Sequence, residues 1–236
     1  YDGTRYKGWQ GQNSTGLTIQ GKIEAVLGQM VGHAVEVIGS GRTDAGVHAK
    51  GQVANFHIEE HFTEEKILSY LNHYLPDDIA VIAIEQVDER FHSRYAAKKK
   101  TYRYHIHMGE ISDVFKRKYE YQYEKTLDVE RMKEAASYLI GTHDFTSFCG
   151  NKKMKKSAVR TIYEINFTKK GNDLWIDYRG NGFLQNMVRI LTGTLIEVGD
   201  GRRSPEEMPQ ILESKNRENA GYTAPACGLM LMEVHY

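Results

Sequence analysis

Beyond Thr18, apolar residues fall at Ile19, Ile23, Val26, Leu27 and Met30, three and four apart, so the pattern predicts a helix with Thr18 as its N-cap. Val35 to Ile38 reads as a strand, and Gln52 to Ile58 alternates Val53, Asn55 and His57 against Ala54, Phe56 and Ile58, predicting another. Thr63 heads a second helix through Ile67, Leu68 and Leu71, with Glu64 and Glu65 placed for the dipole of its first turn. Pro76-Asp77-Asp78 ends it, and the Ile/Val-rich run from Ile79 to Val87 predicts a strand. Lys100 to Met108 alternates cleanly: Tyr102, Tyr104, Ile106 and Met108 share one face, and Arg103, His105 and His107 the other.

Asp128 caps a helix with Val129, Met132, Ala135, Ala136 and Leu139 inward and Gly141 after it. Arg160–Thr168 and Leu174–Arg179 predict a hairpin around Lys170-Gly171-Asn172-Asp173. A longer helix is expected from Phe183 to Val198, and Ser204-Pro205-Glu206-Glu207 carries an N-cap, a proline and a capping-box glutamate for an extra helix toward Ser214. Gly228 to His235 is the last predicted strand. The second part thus reads β-α-β-β-α(α)-β, and the first matches it if a strand precedes Tyr1. The expected class is α+β: two ferredoxin-like, split β-α-β halves, residues 1–98 and 99–236. Their sheets would join into one mostly antiparallel surface, with helices on one face and a central cleft.

A 40% hydrophobic and 26% charged composition is that of an ordinary globular protein and argues against disorder. No apolar run approaches the ~20 residues of a membrane span, and a cytoplasmic location is expected. Cys149 and Cys227 have neither a framework nor a metal-ligand spacing, so both are expected as thiols. Lys plus Arg equals Asp plus Glu at 31 each, so net charge names no polyanionic partner. Distribution adds more: Lys98–Lys100 run together, and Lys152, Lys153, Lys155 and Lys156 crowd one loop around Met154. Each cluster is either a solvated surface or part of a basic face for nucleic acid.

The densest chemistry lies in Gly39-Ser40-Gly41-Arg42-Thr43-Asp44-Ala45-Gly46-Val47-His48-Ala49-Lys50-Gly51. Its glycines let backbone approach another molecule closely. Asp44 is either a reacting carboxylate or an acid that shapes a tight turn. Arg42 either holds phosphates and displaces a base from its stack or pairs with a neighbouring acid. Phe91-His92-Ser93-Arg94-Tyr95 mixes rings, a hydroxyl and a cation, and Tyr102 follows three lysines; both suit an unstacked base at ~1–3 kcal/mol per stacked ring. Arg189, between Val188 and Ile190, calls for a carboxylate partner, with Asp44, Asp177 and Glu197 as candidates. His105 and His107 form a pair without a visible third ligand, so no metal is expected. The P-loop ending is absent, and Ser147, His143 and Cys149 lack a hydrolase signature.

Gly41-Arg42-Thr43-Asp44-Ala45-Gly46-Val47-His48 closely resembles the catalytic motif of the TruA-type tRNA pseudouridine synthases. Ordered matches also occur at Tyr1-Asp2-Gly3, Gly8-Trp9-Gln10, Phe91-His92-Ser93-Arg94, Tyr102-Arg103-Tyr104, His143-Asp144-Phe145-Thr146-Ser147-Phe148, Phe183–Arg189 and Thr223-Ala224-Pro225. The resemblance implies isomerisation of uridine to pseudouridine at tRNA positions 38, 39 and 40, by a homodimer without metal or organic cofactor. It implies Asp44 as nucleophile, Arg42 in base flipping, Tyr102 stacked in the active site and Arg189 paired with the aspartate. Phe91–Tyr95 and Lys152–Lys156 are the remaining expected tRNA contacts. The rival expectations are a non-catalytic tRNA-binding or folding module and a tRNA-acting hydrolase.

Overall fold

In the computed structural model, which describes residues 1–59, 61–151, 153–154 and 156–236, the helix expected after Thr18 is α1 (Ile19–Val31). Thr18 Oγ1 accepts from the Gly21 amide at 3.2 Å, the capping bond its position predicts. The chain forms two units, Tyr1–Lys98 with Val234–Tyr236, and Lys99–Glu233.

In the first unit, β1 (Ile38–Gly39), β2 (His48–Ala49) and β3 (Ala54–Asn55) are short, and α2 (Glu64–Tyr74) is capped by Thr63. β1 and β3 pair antiparallel, Ile38 opposite Asn55. Ile19, Val26 and Leu27 of α1 and Ile67 and Leu71 of α2 bury together with Tyr6, Trp9, Val35 and Val37. At ~1.5–3 kcal/mol for each large apolar side chain removed from water, this core holds the glycine-rich segments in place. The strands are shorter than the alternation predicts, and Ile79–Val87 forms no strand among the described residues. The reason is visible at Val81: its amide donates to Asn72 Oδ1 at 2.8 Å and its carbonyl accepts from Asn72 Nδ2 at 2.7 Å. Further along, Glu64 Oε1 takes the Gln86 amide at 2.7 Å. Helix side chains there satisfy backbone groups that a ladder would otherwise pair.

The second unit contains β4 (Lys99–Met108), β5 (Tyr121–Tyr123), α3 (Val129–Ser137), β6 (Gly141–Asp144), β7 (Val159–Lys170) and β8 (Asp173–Gly180), followed by α4 (Met187–Gly199), α5 (Glu207–Ser214) and β9 (Leu229–His235). Strand order is β9-β4-β8-β7-β6, with β5 alongside β4. β4/β8, β7/β8 and β6/β7 are antiparallel and β4/β5 parallel, giving a mixed α/β protein with a mostly antiparallel sheet. Tyr104, Ile106, Leu174, Ile176 and Tyr178 are buried on one sheet face with Met132, Leu139, Leu191 and Leu195 of the helical segments. The hairpin turns as expected at Gly171, whose φ of 59° glycine adopts without strain. α4 begins four residues later than the pattern predicts because Asn186, its N-cap, sits in the left-handed region at φ 58°. β5 and β6 are additional to the expected elements.

Candidate active site

The segment around Asp44 is shaped by the opening loop of the first unit. The Trp9 amide donates to the Thr43 carbonyl at 3.1 Å, the Gly46 amide to Tyr6 O at 3.2 Å, and Tyr1 Oη shares a 2.8 Å hydrogen bond with Thr43 Oγ1. Such approach requires bare backbone. A Cβ on Gly3 would lie 2.0 Å from Val47 O, and one on Gly8, whose φ is 98°, 2.6 Å from Thr43 O. On the motif itself, the Val47 amide donates to Asp44 O at 3.1 Å across Ala45-Gly46, with Gly46 at φ 79°, the dihedral a type II turn needs in its third place. The Asp44 carbonyl therefore helps close the turn, and the residue is half-buried. His48 is 1% exposed and its Nδ1 accepts the Gly3 amide at 3.0 Å, so this imidazole joins the two loops.

Arg42 is exposed and donates from Nε to Gln10 Oε1 at 3.0 Å. Gln10 Nε2 donates to Gln20 Oε1 at 2.7 Å, and Gln20 Nε2 to Glu24 Oε1 at 2.7 Å, a relay running from the arginine onto α1. The arginine borders a hollow of about 260 Å³ lined also by Trp9, Glu36, His92, Arg94 and Tyr95. Two segments singled out by composition thus meet around one cavity. Within the second of them roles divide. His92 and Tyr95 rings lie 4.1 Å apart, with Tyr95 78% exposed, whereas Ser93 is fully buried, donating to Ile38 O at 2.5 Å while its amide donates to Asn55 Oδ1 at 2.9 Å. Phe91 packs against Tyr236, ring centroids 5.2 Å apart. Ser93 and Phe91 accordingly anchor the segment, and His92, Arg94 and Tyr95 line the hollow.

Tyr102 and Arg189 belong to the second unit, Asp44 and Arg42 to the first. Tyr102 is buried on β4 opposite Tyr178 and meets the Phe183 ring edge-on at 5.3 Å. Arg189, half-buried on α4, donates from Nε to Ala224 O at 2.7 Å and from Nη1 to Asn186 Oδ1 at 2.9 Å, while the Ala224 amide returns a bond to Arg189 O. The two structural partners open to it from sequence are engaged elsewhere. Asp177 accepts both arms of Arg103 at 2.7 Å, and Glu197 accepts Arg203 Nε at 2.5 Å. Beside Arg189, burial pushes the Tyr104 phenol well above its ordinary pKa and holds it as a donor, at 2.7 Å to Pro225 O. In the lysine loop, Lys153 and Lys156 are exposed and Met154 is half-buried 3.9 Å from Cys149 Sγ; Lys152 and Lys155 lie outside the described residues. Cys149 and Cys227 are free thiols. Among the described residues, no helix is long and apolar enough to cross a membrane.

Gln10 and Gln20 are site-shaping residues that composition alone did not single out, although Gln10 lies in the Gly8-Trp9-Gln10 match. Comparison with known sequences adds the family. A family described as tRNA pseudouridine synthase matches residues 1–96 and 135–236. The whole chain is 50% identical to tRNA pseudouridine synthase A 2 of Bacillus anthracis, covering 96% of it. It is 52% identical to tRNA pseudouridine synthase A of Bacillus sp. (strain KSM-64) and 48% identical to that of Brevibacillus brevis, again over the whole chain and 96% of each relative.

Proposed function

The chain belongs to the tRNA pseudouridine synthase family, an isomerase of tRNA uridine, and from that premise we propose that it acts on the anticodon arm with Asp44 as nucleophile. The observation that carries the assignment is local. Asp44 stands half-buried on a turn clamped by Gly3, Gly8 and Tyr6, two residues from an arginine that opens onto a hollow with His92, Arg94 and Tyr95.

In this reading the carboxylate, ionised at neutral pH, engages the everted nucleotide without an activating base. The N1–C1′ bond breaks, the uracil turns, and C5 bonds to C1′; the C5 hydrogen leaves to water and N1 takes up a proton, so composition is unchanged. Everting a nucleotide costs a few kcal/mol, which Arg42 in the vacated gap and a ring against the base offset. By resemblance, Tyr102 is that ring and Arg189 the partner of the aspartate. The same reading makes each unit a split β-α-β half and the protein a homodimer. Ile111 and Phe115, 86% and 92% exposed on one loop, supply apolar surface of the kind a second copy covers. Sedimentation equilibrium returning only monomer would remove that part.

Tritium release from 5-tritiated uridine in an anticodon-arm transcript tests the assignment. Wild type should release tritium, and Asp44→Asn and Asp44→Ala should bind the transcript yet release none. Release by Asp44→Ala refutes the nucleophile. Binding without release by every form identifies a folding module, and liberated uracil or a cut strand a hydrolase.

A further inference from the structure

On the sheet face turned away from the second unit's core, strand register assembles groups that sequence scatters. His107 stands opposite Asp173 across β4/β8, and His105, two residues earlier on the same face, stands opposite Trp175 and stacks on its indole at 4.9 Å. Both imidazoles reach one oxygen: His105 Nε2 lies 2.9 Å and His107 Nδ1 2.8 Å from Asp173 Oδ1. The parallel pairing of Ile106 with Tyr121 brings the residue before β5, Glu120, alongside His105. Glu120 is 2% exposed, and neither carboxylate oxygen has a hydrogen-bond partner among the described residues. A buried carboxylate so placed costs several kcal/mol unless a cation or proton joins it.

His105 Nδ1 stands 3.7 Å from Glu120 Oε2, too far for a hydrogen bond. One ligand atom from each of His105, Glu120 and Asp173 lies within 4.8 Å of the others. We infer that His105, Glu120 and Asp173 hold a divalent first-row metal ion, with zinc the best match to a donor set of imidazole nitrogen and carboxylate oxygen. His107 donates to Asp173 and orients it from outside the ligand shell, as the outer partners of metal ligands do. The ion's two positive charges balance the two carboxylates, and water completes the shell. Binding would tie the start of β5 to β4 and β8. It is independent of the proposed chemistry at Asp44.

The test uses the untagged full chain, stripped with chelator and titrated with Zn²⁺ by calorimetry and with Co²⁺ by visible absorption. Wild type should take up about one equivalent, giving a Co²⁺ ligand-field band that zinc displaces. Glu120→Gln and His105→Gln should lose saturable uptake, and His107→Gln should bind about 10–100-fold more weakly. Equal uptake by wild type and Glu120→Gln, or none by wild type, overturns the inference. Should a variant fold poorly, the ring-nitrogen resonances of ¹⁵N-histidine wild type decide. Zn²⁺ should move His105 and leave His73 and His143 unmoved, and movement confined to the latter refutes the site.

Discussion

Gly8 decides how near the opening loop lies to the Asp44 segment. Its φ of 98° is one that side chains with a Cβ rarely adopt, and a methyl there would come 2.6 Å from Thr43 O and 3.3 Å from Ala45 N. Gly8→Ala is therefore expected to lose about 1–3 kcal/mol of stability and to lower isomerase turnover, since the displaced backbone is that of Thr43–Ala45. Gly16→Ala, where a Cβ meets nothing within 4 Å, is the control and should leave the melting temperature and turnover unchanged. Equal behaviour of the two variants in thermal melts and tritium release would show that the clamp does not matter. Asp44 and Arg42 could be singled out in sequence because glycine spacing marks a loop built for close approach. The relay from Arg42 through Gln10 and Gln20 could not, because it depends on two loops meeting a helix face.

Among the elements, the one-turn 3₁₀ helix Thr146–Phe148 shows how a polar pair secures a hydrophobic plug. Asp144 Oδ1 accepts from the Thr146 hydroxyl at 2.6 Å and amide at 3.0 Å, and Lys215 Nζ stands 3.1 Å from Oδ2. Phe145 and Phe148 are thereby held fully buried, while Ser147 donates to Ile211 O of α5 at 2.6 Å, a packing role consistent with the missing hydrolase signature. The Thr146 hydroxyl, followed by Lys215, holds the Asp144 carboxyl below its ordinary pKa. A group depressed in the folded state contributes stability above its unfolded pKa of about 3.9 and loses it as pH falls through the folded value. Asp144→Ala should consequently be about 1–2 kcal/mol less stable than wild type at neutral pH, with the gap closing in acid. Denaturant midpoints measured from pH 7 downward check this; a gap constant with pH would assign the loss to packing. Helices were legible because Thr18, Thr63 and Asp128 cap them locally. The strand expected at Ile79–Val87 does not form, because Asn72 and Glu64 replace ladder bonds by side-chain bonds that no alternation reveals, whereas those expected before and after the glycine-rich loop are present but short.

At the scale of the molecule, cation and acid counts balance at 31 each, so any grip on a polyanion must come from where the cations stand. The return of Val234–Tyr236 to the first unit, with Tyr236 Oη donating to Ser93 O at 2.8 Å, is a long-range closure that residue order does not disclose. The same holds for Glu120 meeting His105, which needs a parallel register. The charge clusters, by contrast, are legible directly, and the lysine loop provides the last prediction. If Lys152, Lys153, Lys155 and Lys156 touch phosphates, replacing all four by alanine should flatten the plot of log affinity for tRNA against log salt by about 0.7–0.9 for each phosphate no longer neutralised. Removing four charges also changes the net charge, which by itself weakens attraction to tRNA. Replacing Lys125, Lys133, Lys169 and Lys170, all exposed and remote in sequence from the loop, changes net charge equally and separates the two effects. A direct role predicts a shallower slope in the loop variant and a wild-type slope in the control. Equal slopes in both variants would mean that the loop is ordinary solvated surface and that the tRNA phosphates are held elsewhere.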